Sequence, residues 1–133
     1  IPRIDVVVGR GYKYFDELSI VTNKHAKRKY VRVYKDVENI AEMMRKADLV
    51  ITSPGLSMFE ALRIGTPVIA INQTPFHKKV FSSFFPTLND NEINKLRDFI
   101  LSKNFIYPES EYVQRLRIGE GKYEIIKAIM DLK

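Results

Sequence analysis

Ser57 and Glu60 stand three positions apart, just past Gly55, in the segment ADLVITSPGLSMFEALRIGTPVIAI at 47–71. A hydroxyl and a carboxylate so spaced at the start of a helix suit a phosphorylated ligand. The unpaired N–H groups and the positive dipole end of the helix hold a diphosphate, Ser57 donates to a phosphate oxygen, and Glu60 accepts from ribose hydroxyls. The same pair also fits a capping box, in which the Ser57 oxygen accepts from the N3 amide and the Glu60 carboxylate from the N-cap amide. The two roles are compatible. Gly55 permits close backbone approach or positive φ where the strand must turn sharply into the helix.

The elements that must position this group alternate along the chain. Residues 4–9 (IDVVVG) form a β-branched run ending in glycine, and 13–23 can form a helix behind it. A second strand is expected at 30–34. Val37, Ile40, Ala41, Met44 and Ala47 then recur at helical spacing, in a helix opened by Asp36 or Asn39. A third strand at 48–52, a helix at 57–64 stopped by Gly65, and a fourth strand at 67–71 complete the pattern. The rest reads as helical: 90–102 is amphipathic, and 122–132 carries Ile125, Ile126, Ile129 and Met130 on one face. Strand and helix in alternation predict an α/β, Rossmann-like domain, with a mostly parallel sheet and helices on both faces.

Composition bounds the chemistry. With 133 residues and 45% hydrophobic content, one core and a single domain over 1–133 are expected. There are no cysteines and two isolated histidines, which argues against a metal site and leaves no cofactor implied. No apolar run nears the ~20 residues that span a bilayer, and IPRIDVVVG lacks signal-peptide features, so a cytoplasmic location is expected. The absence of an initiator Met suggests a piece of a longer chain.

A net charge of +6 favours anionic partners in general. The cations cluster at 24–32, at Lys78 and Lys79, and at Arg115, Arg117 and Lys122. The first run reads as a solvated helix end, and no nucleic-acid motif accompanies it. Residues 77–86 place cations beside Phe81, Phe84 and Phe85, which suits aromatics packed on the sheet better than a membrane surface.

The 47–71 segment resembles the nucleotide-binding part of the C-terminal domain of GT-B glycosyltransferases of family 28, the MurG type. DVENIAEMM before it is similar to the PseG and SpsG group of nucleotide-sugar hydrolases and polysaccharide proteins, and IGEGKYEII is similar to the family's closing glycine-rich turn and helix. The resemblance implies a nucleoside diphosphate sugar as ligand, a UDP-sugar first, bound in polysaccharide or surface-glycan biosynthesis by a transferase or hydrolase. It implies that Glu60 binds the ribose, that Gly55, Leu56 and Ser57 approach the diphosphate, and that backbone near Val37 meets the base. The loop at 72–79 falls where the family contacts the sugar, with His77, Lys78 and Lys79 as candidates.

Three departures qualify that picture. Pro54 removes one amide donor from the turn. The family's first strand and Gly-Gly-Ser loop have no counterpart here, and Gly9 and Gly11 read as a turn rather than a phosphate cradle. The family's catalytic base lies on the other domain. The chain is therefore expected to need an N-terminal domain or a partner chain, and to be inactive alone. The alternative is a non-catalytic subunit that completes a cleft with a partner. Loss of a central strand predicts open edges near 6–8 or 49–51, relieved by self-association or by a rearranged strand order.

Overall fold

A computed structural model describes residues 3–24 and 30–132. Most of the basic run at 24–32 lies outside the described residues. The chain divides into two compact units, Ile1–Ile40 and Ala41–Lys133.

In the first unit, β1 (Ile4–Val8) pairs in parallel with β2 (Val31–Lys35), from Ile4 beside Val31 to Val8 beside Lys35. Helix α1 (Phe15–Lys24) connects them and carries Asp16 and Glu17 in its first turn and Lys24 in its last, as the helix dipole favours. Gly9 closes a tight turn, its carbonyl accepting from Tyr12 N at 3.1 Å, which agrees with the turn expected there. Arg10 pairs with Asp36 at 2.9 Å. Asp36 has φ 58, so it is not the helix cap proposed for it, and the following helix opens just after Asn39, the other residue offered for that place.

That helix, α2 (Ile40–Lys46), leaves Val37 outside it, in the bend after β2. The second unit then runs β3 (Val50–Thr52), α3 (Leu56–Ile64), β4 (Val68–Asn72), α4 (Pro75–Phe81) and β5 (Thr87–Asn89). The three strands are parallel in the order β3-β4-β5, with Thr52 beside Ala70 and Asn72 beside Asn89. Gly65 stops α3 with φ 102, a left-handed conformation that disfavours a side chain, and its N–H bonds back to Ala61 and Leu62. Thr66 then donates from its buried hydroxyl to Met44 O at 2.8 Å, tying the end of α3 to α2.

The core explains these positions. Val68 and Ala70, on one face of β4, pack with Met58, Ala61 and Leu62 of α3 and with Met44, Phe85, Ile106 and Val113. Ile69 on the opposite face is also buried, so β4 is covered on both sides, as a central parallel strand requires. Phe85 is buried as expected of the 77–86 aromatics and Phe81 packs at the core margin, whereas Phe84 stands exposed.

Three further expectations are corrected. The loop at 72–79 is largely helix α4, and the region after β4 contains a third parallel strand, β5, rather than helix alone. The helix at 90–102 is a 3-10 segment, Asp90–Lys95, kinked into α5 (Leu96–Leu101). After α6 (Glu111–Gln114) comes α7 (Gly121–Met130), the terminal helix expected at 122–132, whose Ile125, Ile126, Ile129 and Met130 are exposed. The strands pair as β1 with β2 in the first unit and in the order β3-β4-β5 in the second.

Candidate functional site

The candidate site lies where β3 turns into α3. Pro54 is buried and anchors the turn, while Gly55 takes φ 145 and ψ −153, a region essentially closed to other residues. A Cβ at Gly55 would meet nothing within 4 Å. Glycine is therefore demanded by the backbone angle rather than by crowding, and the space above it is open.

Gly55 is the N-cap, which corrects the capping box. Ser57 is the second helical residue and Glu60 the fifth, no side chain caps the helix, and neither residue has a hydrogen-bond or ion-pair partner among the described residues. The amides of Leu56, Ser57 and Met58 likewise have no acceptor there, and the first amide of the helix to find one is Phe59 N, bonded to Gly55 O at 3.2 Å. Three N–H groups and the positive end of a nine-residue helix thus stand without an internal anion.

The amphipathy of α3 decides which side chains can join them. Met58, Ala61 and Leu62 face the core, which turns Leu56, Ser57 and Glu60 outward together. Side chains lean toward the N-terminus of a helix, so Glu60, although in the second turn, extends back over Leu56 and Ser57. Leu56 is 82% exposed, an apolar rim beside a polar turn.

The other expected residues are placed differently. Val37 belongs to the first unit, half-buried in its bend, and the remainder belong to the second. His77 and Lys78 lie on α4, which starts beyond the neighbouring strand β4, at the same end of the sheet as Gly55. His77 is engaged within that helix start. Its ring Nδ1 accepts from Gln73 N at 3.3 Å, and its own N–H donates to the Thr74 hydroxyl at 3.2 Å. Lys78 and Lys79 are exposed.

Sequence reasoning missed Thr74 and Asn72. Thr74 followed by Pro75 is an N-cap followed by proline at the first helical position, a legible signal for α4. Asn72 gave no signal, since its polarity read only as a strand end. It is buried, with Nδ2 donating to Thr87 Oγ1 at 2.7 Å and Asn89 Oδ1 at 3.1 Å.

Other features contribute less. A cavity of about 410 Å³ lies at the far end of α3, lined by Arg63, Gly65 and Arg117 among others. Among the described residues, no group of three His, Asp or Glu side chains is placed to hold a metal ion, and no helix is long and apolar enough to cross a membrane.

A family model, Glycosyl transferases group 1, matches residues 4–104, which includes β1 through α5 and the whole candidate site. This chain belongs to the group 1 glycosyl transferases. It is also 35% identical over 130 residues to the uncharacterized protein MJ1062 of Methanocaldococcus jannaschii, a match that covers 98% of this chain and 25% of that protein. The chain thus spans about a quarter of the length of this relative. No solved structure matches it significantly. Group 1 membership and the parallel strands agree with the Rossmann-like half of a GT-B fold expected above.

Proposed function

We propose that this chain is the donor-binding part of a glycosyltransferase, holding a nucleoside diphosphate sugar at the start of α3. One observation carries the reading: the uncapped N-terminus of α3, with free amides at Leu56, Ser57 and Met58 and with unpartnered Ser57 and Glu60 on its outward face. Glu60 accepts from the ribose hydroxyls, and Ser57 and the amides take the diphosphate. Lys78, at the same sheet end, adds positive charge, and His77 stays committed to its helix start.

The chemistry follows from that placement. In transfer, the bond between the anomeric carbon and the diphosphate oxygen breaks while an acceptor oxygen bonds to the carbon, and the bonding pair leaves on the diphosphate. Amides and a helix dipole aimed at that diphosphate stabilise the charge it gains, without reorganisation at the moment of reaction. The base that deprotonates the acceptor comes from an N-terminal domain or a partner chain. A UDP-sugar of the MurG, PseG and SpsG class in surface-glycan synthesis is the first donor to try, with water in place of the acceptor for a hydrolase.

A second reading, a non-catalytic subunit completing a cleft with another chain, is favoured by α7, whose Ile125, Ile126, Ile129 and Met130 are each more than half exposed. Calorimetric titration of UDP, GDP and CDP into the product of the complete reading frame separates the two. Binding of one nucleotide, lost in Glu60→Gln, supports the donor site; silence toward all three favours the subunit.

A further inference from the structure

From Ala61 to Asn89 the chain carries no acidic residue, although it holds Arg63, Lys78 and Lys79. Helix α4 and the turn behind it lie within that stretch, and their aromatic residues divide into two sets. His77 and Phe81 are half-buried: their rings meet edge to face at 6.2 Å, and Phe81 packs at the core margin with its ring 6.4 Å from that of Phe59. At about 100° per residue, Phe76, Lys78 and Lys79 then fall on the other arc of the helix. All three are exposed, Phe76 by 67%. Neither lysine has a hydrogen-bond or ion-pair partner among the described residues.

The turn after α4 holds a further aromatic at the surface. Phe84 N and Phe85 N both donate to Phe81 O, at 3.1 and 2.9 Å, and the hydroxyls of Ser82 and Ser83 donate back to the carbonyls of Lys78 and Val80. These bonds fix the backbone. Phe85 is drawn into the core, and its neighbour Phe84 is left 65% exposed. Two phenyl rings therefore bracket two unpaired ammonium groups in a stretch whose own charge is only positive.

We propose that this outward face, Phe76, Lys79 and Phe84 with Lys78 beside them, rests on an anionic lipid bilayer. Surfaces of this composition seat their phenyl rings at the boundary of headgroups and acyl chains, while the lysine stems reach out to the lipid phosphates. A protein partner would have to supply a shaped apolar pocket for each ring and an acid for each lysine. An anionic bilayer offers apolar depth and negative charge at every point, whatever the spacing of the side chains. The inference stands apart from the donor-site reading, since it requires no nucleotide to bind.

The test is sedimentation of the product of the complete reading frame with vesicles of equal parts phosphatidylglycerol and phosphatidylcholine, and with phosphatidylcholine alone. The parent is expected to sediment with the mixed vesicles at low salt, to be released as salt screens the lysines, and to ignore the neutral ones. Lys79→Gln should lower binding about 5-fold, the effect of one cation near an anionic leaflet. Phe76→Ser combined with Phe84→Ser should lower it about 10- to 100-fold, as two apolar side chains lose their burial. Because these side chains are exposed, the variants should melt like the parent. A parent that stays in solution, or that sediments equally with neutral vesicles, overturns the inference. So do variants that bind as the parent does, since another region then carries the contact. A marked fall in melting temperature, or failure to fold, in the serine variant also overturns it, because the rings are then covered by another part of the complete protein.

Discussion

Two helices begin side by side at the carboxyl ends of β3 and β4, and they treat their first turns in opposite ways. Helix α4 closes itself: Thr74 accepts from His77 N, Pro75 removes a donor that needs no partner, and the His77 ring takes Gln73 N. Helix α3 does none of this, and its cap is a glycine in a strained backbone conformation. Glycine at an N-cap gives up only about a few tenths of a kcal/mol relative to a capping side chain, so α3 leaves its first amides free at little cost in stability. The contrast separates a helix start that closes on its own side chains from one whose first amides stand free.

The comparison breaks most visibly at Gly55. Gly55→Val forces a side chain onto φ 145 and should cost on the order of 1–3 kcal/mol, with nucleotide binding lost as the turn moves. Thermal melts together with calorimetry check both parts. Retained affinity in a folded variant would show that the amides of α3 do not hold the ligand.

Glu60→Gln comes next. With no capping bond to lose, the variant should melt like the parent, yet weaken a nucleoside diphosphate about 10- to 100-fold, since hydrogen bonds to an ionised carboxylate contribute roughly 1.5–3 kcal/mol. An unchanged dissociation constant makes Glu60 an ordinary surface residue.

Thr74→Ala should show the reverse pattern. Loss of the 3.2 Å cap bond lowers stability by about 1 kcal/mol and leaves nucleotide affinity intact. A matching fall in affinity would mean that α4 also shapes the site, and the distinction between the two helices would collapse.

The smallest effect is in acid. Glu92 has a folded pKa depressed by Lys95 and Asn89, so its contribution is present above the unfolded carboxylate value and fades as pH falls through the lower folded value. Denaturant melts of the parent and Glu92→Gln should therefore differ at neutral pH and converge in strong acid. Divergence that grows toward low pH contradicts the sign.

How much of this was legible depended on whether the signal was local. The alternation of strand and helix through 71, the stop at Gly65 and the turn after β1 follow from residue type and spacing, and the structure has them. The capping box failed because Ser57 and Glu60 have the right separation but sit two residues too deep: Gly55 ends the non-helical backbone, and spacing alone does not say where the helix begins. Strand β5 escaped because Thr-Leu-Asn buries only Leu88 in depth, too short a pattern to read. The isoleucines of α7 had a clear helical period, and period says nothing of whether a surface exists to receive it.

By itself the sequence determined the α/β class, the group of residues at 55–60 and their kinship with glycosyltransferases, because backbone preference, helical period and motif spacing are properties of neighbours along the chain. Tertiary structure alone decided that α3 is left uncapped, that the strands divide into two sheets, and that Asn72 is buried with its amide bonded to β5. That last feature depends on Thr87 and Asn89, which lie 15 and 17 positions away and meet Asn72 only because β5 pairs with β4 in one particular register.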